Sequence, residues 1–347
     1  MSRRIVSNLC AALAGAVLAG PVGANPAGPP QSPATDASEL GNAIQGAIAD
    51  VFQSATPSVV RVESEDELGK VSGTGFFADA TGTVYTLASV VGDGLALSVS
   101  RGDQRWPAKL LTKDPRSGIA LIKVDEAGAT PFLEQGDCHE VKASSPLVVV
   151  GFPFDHDVSP SFGVVGGLDR KSQGKFFATT HIRANIPVQR GQGGSPVLNL
   201  DGDVVGVLVS GMEDGAGCFV LPIRAAEKVR SDFVRFGDVR HGWAGVTVQE
   251  MPAAVKGSRM MIDVVDPTGP AANQFHSGDV VLQVGDIAIR EPEDALDASF
   301  FLTAGEPVEV RVARGEEVIT IPFTPAEHPF DRKEEMQALG PGSLIGR

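Results

Sequence analysis

The chain has few of the residues that carry redox, metal or nucleic-acid chemistry. Its 347 residues include three cysteines, six histidines, two tryptophans and one tyrosine, and 29 basic residues stand against 43 acidic ones. The formal net charge of −14 disfavours a nucleic acid as a partner, because nucleic acids are bound by positively charged surfaces. Neither standard glycine-rich phosphate loop occurs, so nucleotide chemistry is not expected.

The histidines are spread along the chain in no arrangement that is typical of a metal site. None of them has a partner at the spacing of the standard zinc patterns. We therefore predict no metal and no cofactor, and structural or surface roles for five of the six histidines. These five are His139, His156, His241, His276 and His328.

The first two dozen residues have the layout of a secretory signal. A pair of arginines precedes an apolar stretch from Leu9 to Leu18, and small residues lead up to Ala24. Since that stretch is too short to span a bilayer well, we predict a signal peptide over residues 1–24. The rest is then soluble in the periplasm or another extracytoplasmic space. After cleavage Cys138 and Cys218 remain, and an oxidising compartment permits them to pair if the fold brings them close.

Composition and periodicity divide residues 25–222 into a linker, a helix and a β-rich region. Residues 25–38 are rich in Pro, Ala, Gly and Ser, which predicts a disordered linker. Apolar residues then recur at helical spacing from Leu40 to Phe52 and predict a short amphipathic helix. Short β-rich runs follow between Ser58 and Pro222, as in an all-β barrel or sandwich. The clearest runs are Val59–Val62, Thr83–Leu87, Leu95–Val99, Ile119–Val124, Leu147–Gly151 and Val204–Val209.

Three segments of the β-rich region carry specific motifs: GTGFFADATGTVYTLASVV, DPRSGIALIKV and RGQGGSPVLNLDGDVVGV. In this order they resemble the segments of the HtrA/DegP family that hold the catalytic histidine, the catalytic aspartate and the nucleophilic serine. The histidine position is Ser89 here, the aspartate position is Gly118, and the serine position is Gly193. All three positions of the family's catalytic triad are therefore substituted.

The resemblance covers nearly the whole chain after the predicted signal and implies its domain order. It implies a mainly β fold, in which a trypsin-like double six-stranded β-barrel over residues 39–236 is followed by a C-terminal PDZ domain of the α+β type over residues 240–325. A flexible tail is expected over residues 326–347. Family members commonly trimerise through the barrel domain, so the resemblance also implies a homo-oligomer.

Acyl transfer on this fold needs a hydroxyl nucleophile, a histidine that takes its proton, and a carboxylate that holds the imidazole in the right tautomer. Gly193 has no side chain, Ser89 is no base near neutral pH, and Gly118 orients nothing. Loss of such a triad lowers turnover on the order of a millionfold. The substitutions therefore predict a pseudoprotease, which keeps the fold without the catalytic machinery.

A rearranged Ser–His pair is the alternative. Ser195 lies two positions after the expected nucleophile, and His181 lies on the preceding stretch. A shift of two residues moves a hydroxyl by roughly 7 Å, away from the oxyanion site expected at the backbone N–H groups of Gly191 and Gly193. A serine in a turn, moreover, most often bonds to a backbone group. Asp114 is an alternative carboxylate, but the sequence offers no base for it to orient.

The C-terminal third carries the PDZ motifs. GWAGVTVQE resembles the carboxylate-binding loop and first strand of an HtrA-type PDZ domain, and PEDALDASFFL resembles the helix beside its groove. In such a domain a peptide C-terminus adds a strand, its carboxylate meets backbone N–H groups, and its last side chain enters an apolar pocket. The resemblance places Trp243, Ala244, Gly245 and Val246 in the loop, and Leu296 and Phe300 at the pocket. The alternative for the last two is a role as core residues of an amphipathic helix.

Two functional classes follow. The first is an exported binding protein, namely a scaffold, chaperone-like or regulatory factor in envelope protein quality control. Its PDZ groove would capture C-terminal or exposed hydrophobic peptides of envelope proteins, or an active protease. The second is a serine-type endopeptidase with its nucleophile at Ser195 or with a site that a partner completes. The chemistry of the three substituted positions favours the first class.

Overall fold

The computed structural model describes residues 37–66, 69–93, 96–125, 128–172, 175–212 and 215–328. The predicted signal peptide lies outside the described residues, as does most of the predicted linker. The first helix, α1 (Ala37–Ala55), includes the last two residues of that predicted linker. Its C-terminal half packs Val51 and Ala55 into the core of the first barrel. A short 3₁₀ turn at Thr56–Ser58, with Pro57 inside it, ends the helix and leads into the first strand.

The first barrel is closed by six antiparallel strands in the order β1-β2-β3-β6-β5-β4. Valine, isoleucine and aromatic side chains fill its interior, as the β-rich runs predict. The four-residue helix α2 (Ala88–Val91) follows β3 directly. The strands are β1 (Val59–Asp66), β2 (Gly69–Phe77), β3 (Thr83–Leu87), β4 (Leu97–Arg101), β5 (Gln104–Lys113) and β6 (Ile119–Lys123).

The second barrel repeats this architecture with the order β10-β11-β12-β9-β8-β7. It has a separate apolar core that includes the fully buried Cys218. The prediction of two six-stranded barrels is therefore confirmed. The strands are β7 (Pro146–Gly151), β8 (Ser159–Ser172), β9 (Lys175–Ala184), β10 (Pro196–Leu198), β11 (Val204–Gly211) and β12 (Cys218–Pro222).

The helix α3 (Ile223–Phe236) leaves the second barrel and leads into the PDZ domain, whose helix α4 spans Pro292–Phe301. The main PDZ sheet has the order β14-β15-β16-β18-β19, with β17 paired to β16, so β14 is an edge strand. Its strands are β14 (Val246–Val255), β15 (Ser258–Val265), β16 (Val280–Val284), β17 (Ile287–Ala288), β18 (Val308–Arg314) and β19 (Glu317–Phe323).

Two short strands correct the predicted start of the C-terminal tail. β13 (Gly242–Trp243) pairs with β20 (Ala326–Glu327), so the first residues of the predicted flexible tail are ordered. The His328 ring also contacts the Trp243 ring, with 5.4 Å between centroids. The last residues of the PDZ domain therefore lie beside the loop that was predicted to bind a carboxylate.

Buried polar groups join the PDZ domain to the barrels. The Lys228 ammonium on α3 donates to Asp232 (2.6 Å), to the Arg240 carbonyl (3.1 Å) and to the Thr303 hydroxyl (3.1 Å) after α4. Asp232 in turn accepts from the Arg240 N–H and the Thr303 hydroxyl. Both members of this ion pair are more than nine-tenths buried. Since a buried charge needs such partners, the pair fixes the end of α3 against the PDZ domain.

None of the helices in the described part of the chain has the length and apolar character needed to cross a membrane.

Candidate functional site

Two of the three positions that resemble the catalytic triad line a cleft of about 280 Å³ between the two barrels. Ser89, from α2, lies on one side of the cleft, and Gly193, from the loop before β10, lies on the other. Gly118 is next to Ser89 because the Ala88 N–H donates to the Gly118 carbonyl (2.7 Å). The structure thus brings the three substituted positions together.

Two of these positions favour glycine, Gly118 by its backbone conformation and Gly193 by a close neighbouring side chain. Gly118 has a φ of +76°, in the left-handed region that an aspartate adopts only with strain. A Cβ built at Gly193 lies 3.1 Å from the Leu87 Cδ1 atom, so a serine there would press on Leu87. Restoring the family residues therefore strains the backbone at position 118 and requires the Leu87 side chain to move at position 193.

Thr74, on β2, holds the loop that leads into β10. Its N–H donates to the Gly193 carbonyl (2.9 Å), and its hydroxyl donates to the Gly191 carbonyl (2.7 Å) and accepts from the Phe152 N–H (3.1 Å). Gly191 has a φ of +94°, and a Cβ on it would lie 2.3 Å from the Phe152 carbonyl oxygen. The loop is therefore fixed in place although it carries no nucleophile at Gly193. The role of the Gly191 and Gly193 N–H groups as an oxyanion site stays a prediction.

Ser195 is fully buried and faces away from solvent. Its hydroxyl lies against Gly151, where an added Cβ would come within 2.1 Å of the oxygen. Among the described residues, this hydroxyl has no hydrogen-bond partner, so the expected bond to a backbone group is not formed. The bond is missing because the Ser195 side chain points into the interior, where it packs against the Gly151 backbone. A substrate carbonyl has no access to this oxygen.

His181, the predicted partner of Ser195, is on β9 and serves the packing of the second barrel. Its Nδ1 lies 2.8 Å from the Thr179 carbonyl oxygen, and its ring stacks on Phe177 at a centroid distance of 4.2 Å. Burial lowers the pKa of His181, although the contact with Thr179 opposes that shift. Since the Ser195 hydroxyl has no partner among the described residues, the two side chains form no catalytic pair.

Asp114 does have an imidazole to orient, which the sequence did not reveal. The fully buried carboxylate contacts the His241 Nε2 (2.9 Å) and accepts from the Ser117 hydroxyl (2.6 Å). Burial favours a higher pKa for Asp114, but the hydrogen bonds from His241 and Ser117 outweigh it and hold that pKa below its usual range. The other His241 nitrogen lies 3.3 Å from the Phe300 carbonyl oxygen. Both ring nitrogens face acceptors inside the molecule, so the imidazole has no nitrogen left to take a proton from a nucleophile. The pair of Asp114 and His241 instead joins the barrel to the PDZ domain.

No signal in the sequence links Asp114 and His241, because 127 positions separate them and they belong to different domains. Asp114 precedes the first barrel's last strand, and His241 lies in the segment between α3 and β13. Only the docking of the PDZ domain onto the barrel brings them together.

The environment of Ser195 gives a stability prediction. We expect Ser195→Ala to leave the free energy of unfolding unchanged or to raise it by about 1 kcal/mol, because the change removes a buried hydroxyl that makes no hydrogen bond. Denaturant unfolding would measure the difference. Thr74→Ala is the matched control, since it removes a buried hydroxyl that is bonded to Gly191 and Phe152. A loss of more than 1 kcal/mol in Ser195→Ala would show that its hydroxyl has a partner after all.

The second candidate site is an apolar groove in the PDZ domain, between α4 and the edge strand β14, with a volume of about 510 Å³. Four of the predicted residues line it, namely Trp243, Ala244, Val246 and Leu296. Gly245 does not line the groove but shapes the loop, with a φ of +72° and its carbonyl bonded to the Asp266 N–H (2.8 Å). Deeper lining residues that the sequence analysis missed are Met260, Ile262, Phe275, Val281, Val284, Ile289, Leu302, Val310 and Phe323.

Phe300 is not at the pocket where it was predicted. It is fully buried in the apolar cluster of the first barrel, and its ring lies 5.2 Å from the His241 ring and 5.6 Å from the Arg116 guanidinium. Helical spacing puts Phe300 near Leu296, because residues four apart are neighbours on a helix. The boundary between the groove face and the barrel face of α4 runs between them, and only the docked barrel decides that boundary.

The barrel face of α4 is held by polar contacts to the second barrel and α3. Asp297 accepts from the Thr179 hydroxyl, from the Thr180 N–H (2.9 Å) and from the Arg224 guanidinium (2.6 Å). Burial works against the charged form, but these hydrogen bonds hold the pKa of Asp297 below its usual range. The groove and the barrel interface therefore share one helix.

Both cysteines in the described part of the chain are free thiols. Burial raises the pKa of Cys218 to about 12, so this thiol stays protonated in the core of the second barrel. Cys138, in contrast, is half-buried and lies between Asp137 and His139. The ligand atoms of these three residues lie within 4.8 Å of one another and form a group that is able to hold a metal ion. The three ligands are consecutive in the sequence, so none of the spaced patterns typical of metal sites predicts this group.

Comparison with protein families assigns both domains. Residues 73–207 match a trypsin-like peptidase domain, and residues 229–323 match a PDZ domain. A probable periplasmic serine endoprotease, DegP-like, of Rhizobium meliloti (strain 1021) is 28% identical over 284 residues, which cover 78% of this chain and 56% of that protein. A putative serine protease, HhoB, of Synechocystis is 25% identical over 333 residues, 82% of this chain and 80% of that protein. The chain thus spans little more than half the length of the DegP-like relative.

Solved structures show the same fold. The HtrA-type protease AlgW with tripeptide has a TM-score of 0.68 at 19% identity, over 81% of this chain and 97% of that one. The serine endoprotease from Yersinia pestis has a TM-score of 0.60 at 20% identity, over 81% of this chain and 98% of that one.

Proposed function

Since the chain carries the trypsin-like peptidase domain and the PDZ domain of the HtrA/DegP-like family, we propose that it binds peptides without cleaving them. The observation that supports this proposal most directly is the residue content of the cleft between the barrels. Ser89 and Gly193 line the cleft and Gly118 lies beside it, at the positions that resemble those the family uses for catalysis. No combination of these three residues supplies a nucleophile, a base and a carboxylate. The barrel domain then serves as a scaffold for the PDZ groove.

The groove supports the binding half of this proposal. Its lining is almost entirely apolar, and the open edge of β14 beside it suits the addition of a peptide strand. The loop from Trp243 to Val246 lies at one end, where the carboxylate of a peptide would meet backbone N–H groups. We therefore propose as ligands the C-terminal or exposed hydrophobic peptides of envelope proteins, or of an active protease, which would make the protein a chaperone-like or regulatory factor.

Relatives named as endoproteases favour the competing function, a serine endopeptidase. In that case the nucleophile is Ser195 or a partner completes the site. The burial of Ser195 and the separate packing of His181 count against a relocated nucleophile. We also propose that the protein is located in the periplasm, because the DegP-like relatives are named periplasmic. We propose in addition that it forms a homo-oligomer, with a trimer as the form that is common in the family.

The binding half is tested by calorimetry on the purified chain. We expect a peptide with an apolar C-terminal residue and a free carboxylate to bind, and the same peptide with an amidated C-terminus to bind at least about tenfold more weakly, as expected for loss of a carboxylate contact. Leu296→Glu should weaken binding by a similar factor, because it places a charge in the apolar groove.

Val318→Glu is the matched control for this experiment, because Val318 is a comparably exposed residue of the PDZ domain that does not line the groove. It should bind like the unchanged protein. Equal binding of the free and amidated peptides, or no binding of any peptide with an apolar C-terminus, would contradict peptide capture by the groove.

A further inference from the structure

The turn at Asp137, Cys138 and His139 lies in the segment between the two barrels, away from both the cleft and the PDZ groove. It offers one carboxylate, one thiol and one imidazole, and their ligand atoms all lie within 4.8 Å of one another. Asp137 and His139 are exposed, whereas Cys138 is half-buried against an apolar cluster that both barrels and α3 share. Three different metal-binding groups are therefore gathered at an accessible point of the surface.

We propose that this turn binds one thiophilic divalent cation of the zinc class through the Cys138 sulfur, a His139 ring nitrogen and an Asp137 carboxylate oxygen. Sulfur and imidazole donors select zinc-like ions over calcium and magnesium, which prefer oxygen donors alone. Three protein ligands leave a fourth position of a tetrahedral ion for water or an external group. On binding, the Cys138 thiol loses its proton to the solvent and the sulfur bonds to the ion.

The turn is already fixed in the arrangement that binding needs. The Gly136 N–H donates to the Val204 carbonyl (2.9 Å), which attaches the turn to β11. The His139 N–H donates to the Asp137 Oδ1 atom (2.8 Å), and the Glu140 N–H donates to the Asp137 carbonyl (3.2 Å). The other Asp137 carboxylate oxygen is left for an ion. The backbone of the turn therefore has little freedom left for a metal to remove, which favours binding.

The N-terminus of α3 lies beside Cys138 and would help to stabilise a metal-bound sulfur. Burial raises the pKa of the Cys138 thiol, and a contact with the backbone N–H of Arg224, in the first turn of the 14-residue helix α3, opposes that shift. A hydrogen-bond donor at a helix N-terminus stabilises negative charge, and donors of this kind support thiolate ligands in metal sites. The same N–H group would therefore stabilise the metal-bound sulfur.

Cobalt and zinc titrations of the purified chain, prepared without a polyhistidine tag, test the proposal. Co²⁺ is the spectroscopic probe, because a cysteine–cobalt bond gives a sulfur-to-metal charge-transfer band in the near ultraviolet. We expect one Co²⁺ per chain with this band, displacement of Co²⁺ by one equivalent of Zn²⁺, and loss of the band in Cys138→Ser. His139→Gln and Asp137→Asn should each weaken Zn²⁺ binding at least about tenfold.

Two features of the chain provide controls. Cys218 remains in Cys138→Ser, so the loss of the band in that variant assigns the sulfur ligand to Cys138. His156→Gln removes another exposed histidine, far from the turn in sequence, and should bind Zn²⁺ like the unchanged protein. Circular dichroism confirms that the variants are folded. The absence of a charge-transfer band in the folded, unchanged protein, or Zn²⁺ binding that is equal in Cys138→Ser, would overturn the proposal.

Discussion

The purified protein is expected to leave casein intact and to take up no fluorophosphonate label, at a turnover on the order of a millionfold below that of an active HtrA-type protease. The physical reason is the residue content of the cleft: Gly193 has no oxygen to attack a carbonyl, and Ser89 does not accept its proton near neutral pH. Digestion assays and probe labelling, with an active family member as the positive control, measure the difference.

Ser195→Ala is the decisive comparison for this prediction. Since the Ser195 hydroxyl is fully buried against Gly151, the variant should behave like the unchanged protein in both assays. Activity in the unchanged protein that disappears in Ser195→Ala would establish a relocated nucleophile and refute the non-proteolytic proposal. Activity that survives in Ser195→Ala would point instead to a contaminating protease or to a site outside the cleft.

A variant that restores the family's triad tests whether the surroundings of the cleft, as well as the three side chains, prevent catalysis. The combined variant Ser89→His, Gly118→Asp and Gly193→Ser supplies all the groups that the mechanism needs. We expect little recovery, because Gly118 has the left-handed φ of +76° and a serine Cβ at position 193 would press on Leu87. Gly193→Ser alone should remain unlabelled, since it still has no base. Full activity in the combined variant would show that the backbone adapts easily.

Asp232→Ala is expected to destabilise the protein by about 3–5 kcal/mol, the cost of leaving one member of a buried ion pair without its partner. The Lys228 ammonium would keep only the Arg240 carbonyl and the Thr303 hydroxyl. The Arg240 N–H would also lose its acceptor. Because these groups join α3 to the PDZ domain, we expect the PDZ domain to detach or unfold first. Guanidinium unfolding, combined with limited proteolysis of the segment around Gly237, measures both effects.

Glu65→Ala is the matched control for Asp232→Ala. Glu65 pairs with Lys70 at 3.7 Å, but both side chains are mostly exposed, and such pairs contribute less than about 1 kcal/mol. A second variant, Lys228→Met with Asp232→Ala, removes both charges and should be less destabilised than Asp232→Ala alone. If Asp232→Ala and Glu65→Ala lowered stability equally, the buried pair would not be what fixes the PDZ domain.

The motifs gave the two barrels and the PDZ domain their correct order, whereas hydrophobic runs found only half of the barrel strands. β8 and β9 were missed because glycines and polar residues interrupt their apolar runs, and β10 because it has only three residues. These strands form because the neighbouring strands pair with them along most of their length. Pairing partners are not visible in a local window of sequence.

The two candidate sites differ in how many of their residues the sequence patterns predicted correctly. Ser89, Gly118 and Gly193 were placed by motif. In the structure Ser89 and Gly193 line one cleft, and Gly118 is bonded to Ala88 beside it. Phe300 was misplaced because the helical period does not say which neighbour covers which face. The turn at Asp137 to His139 was missed because its ligands are adjacent and follow no spaced pattern.

The sequence by itself determined the chemistry that this protein lacks. Side-chain identity at the three positions that resemble the triad carries the proposal of a non-proteolytic protein, because a missing functional group is not supplied by geometry. Only the tertiary structure decided the roles of Ser195, His241 and Phe300. Each of these roles depends on a contact between segments far apart in the chain, with Gly151, Asp114 and the barrel core respectively. Burial and pairing arise from packing, and packing exists only after the chain has folded.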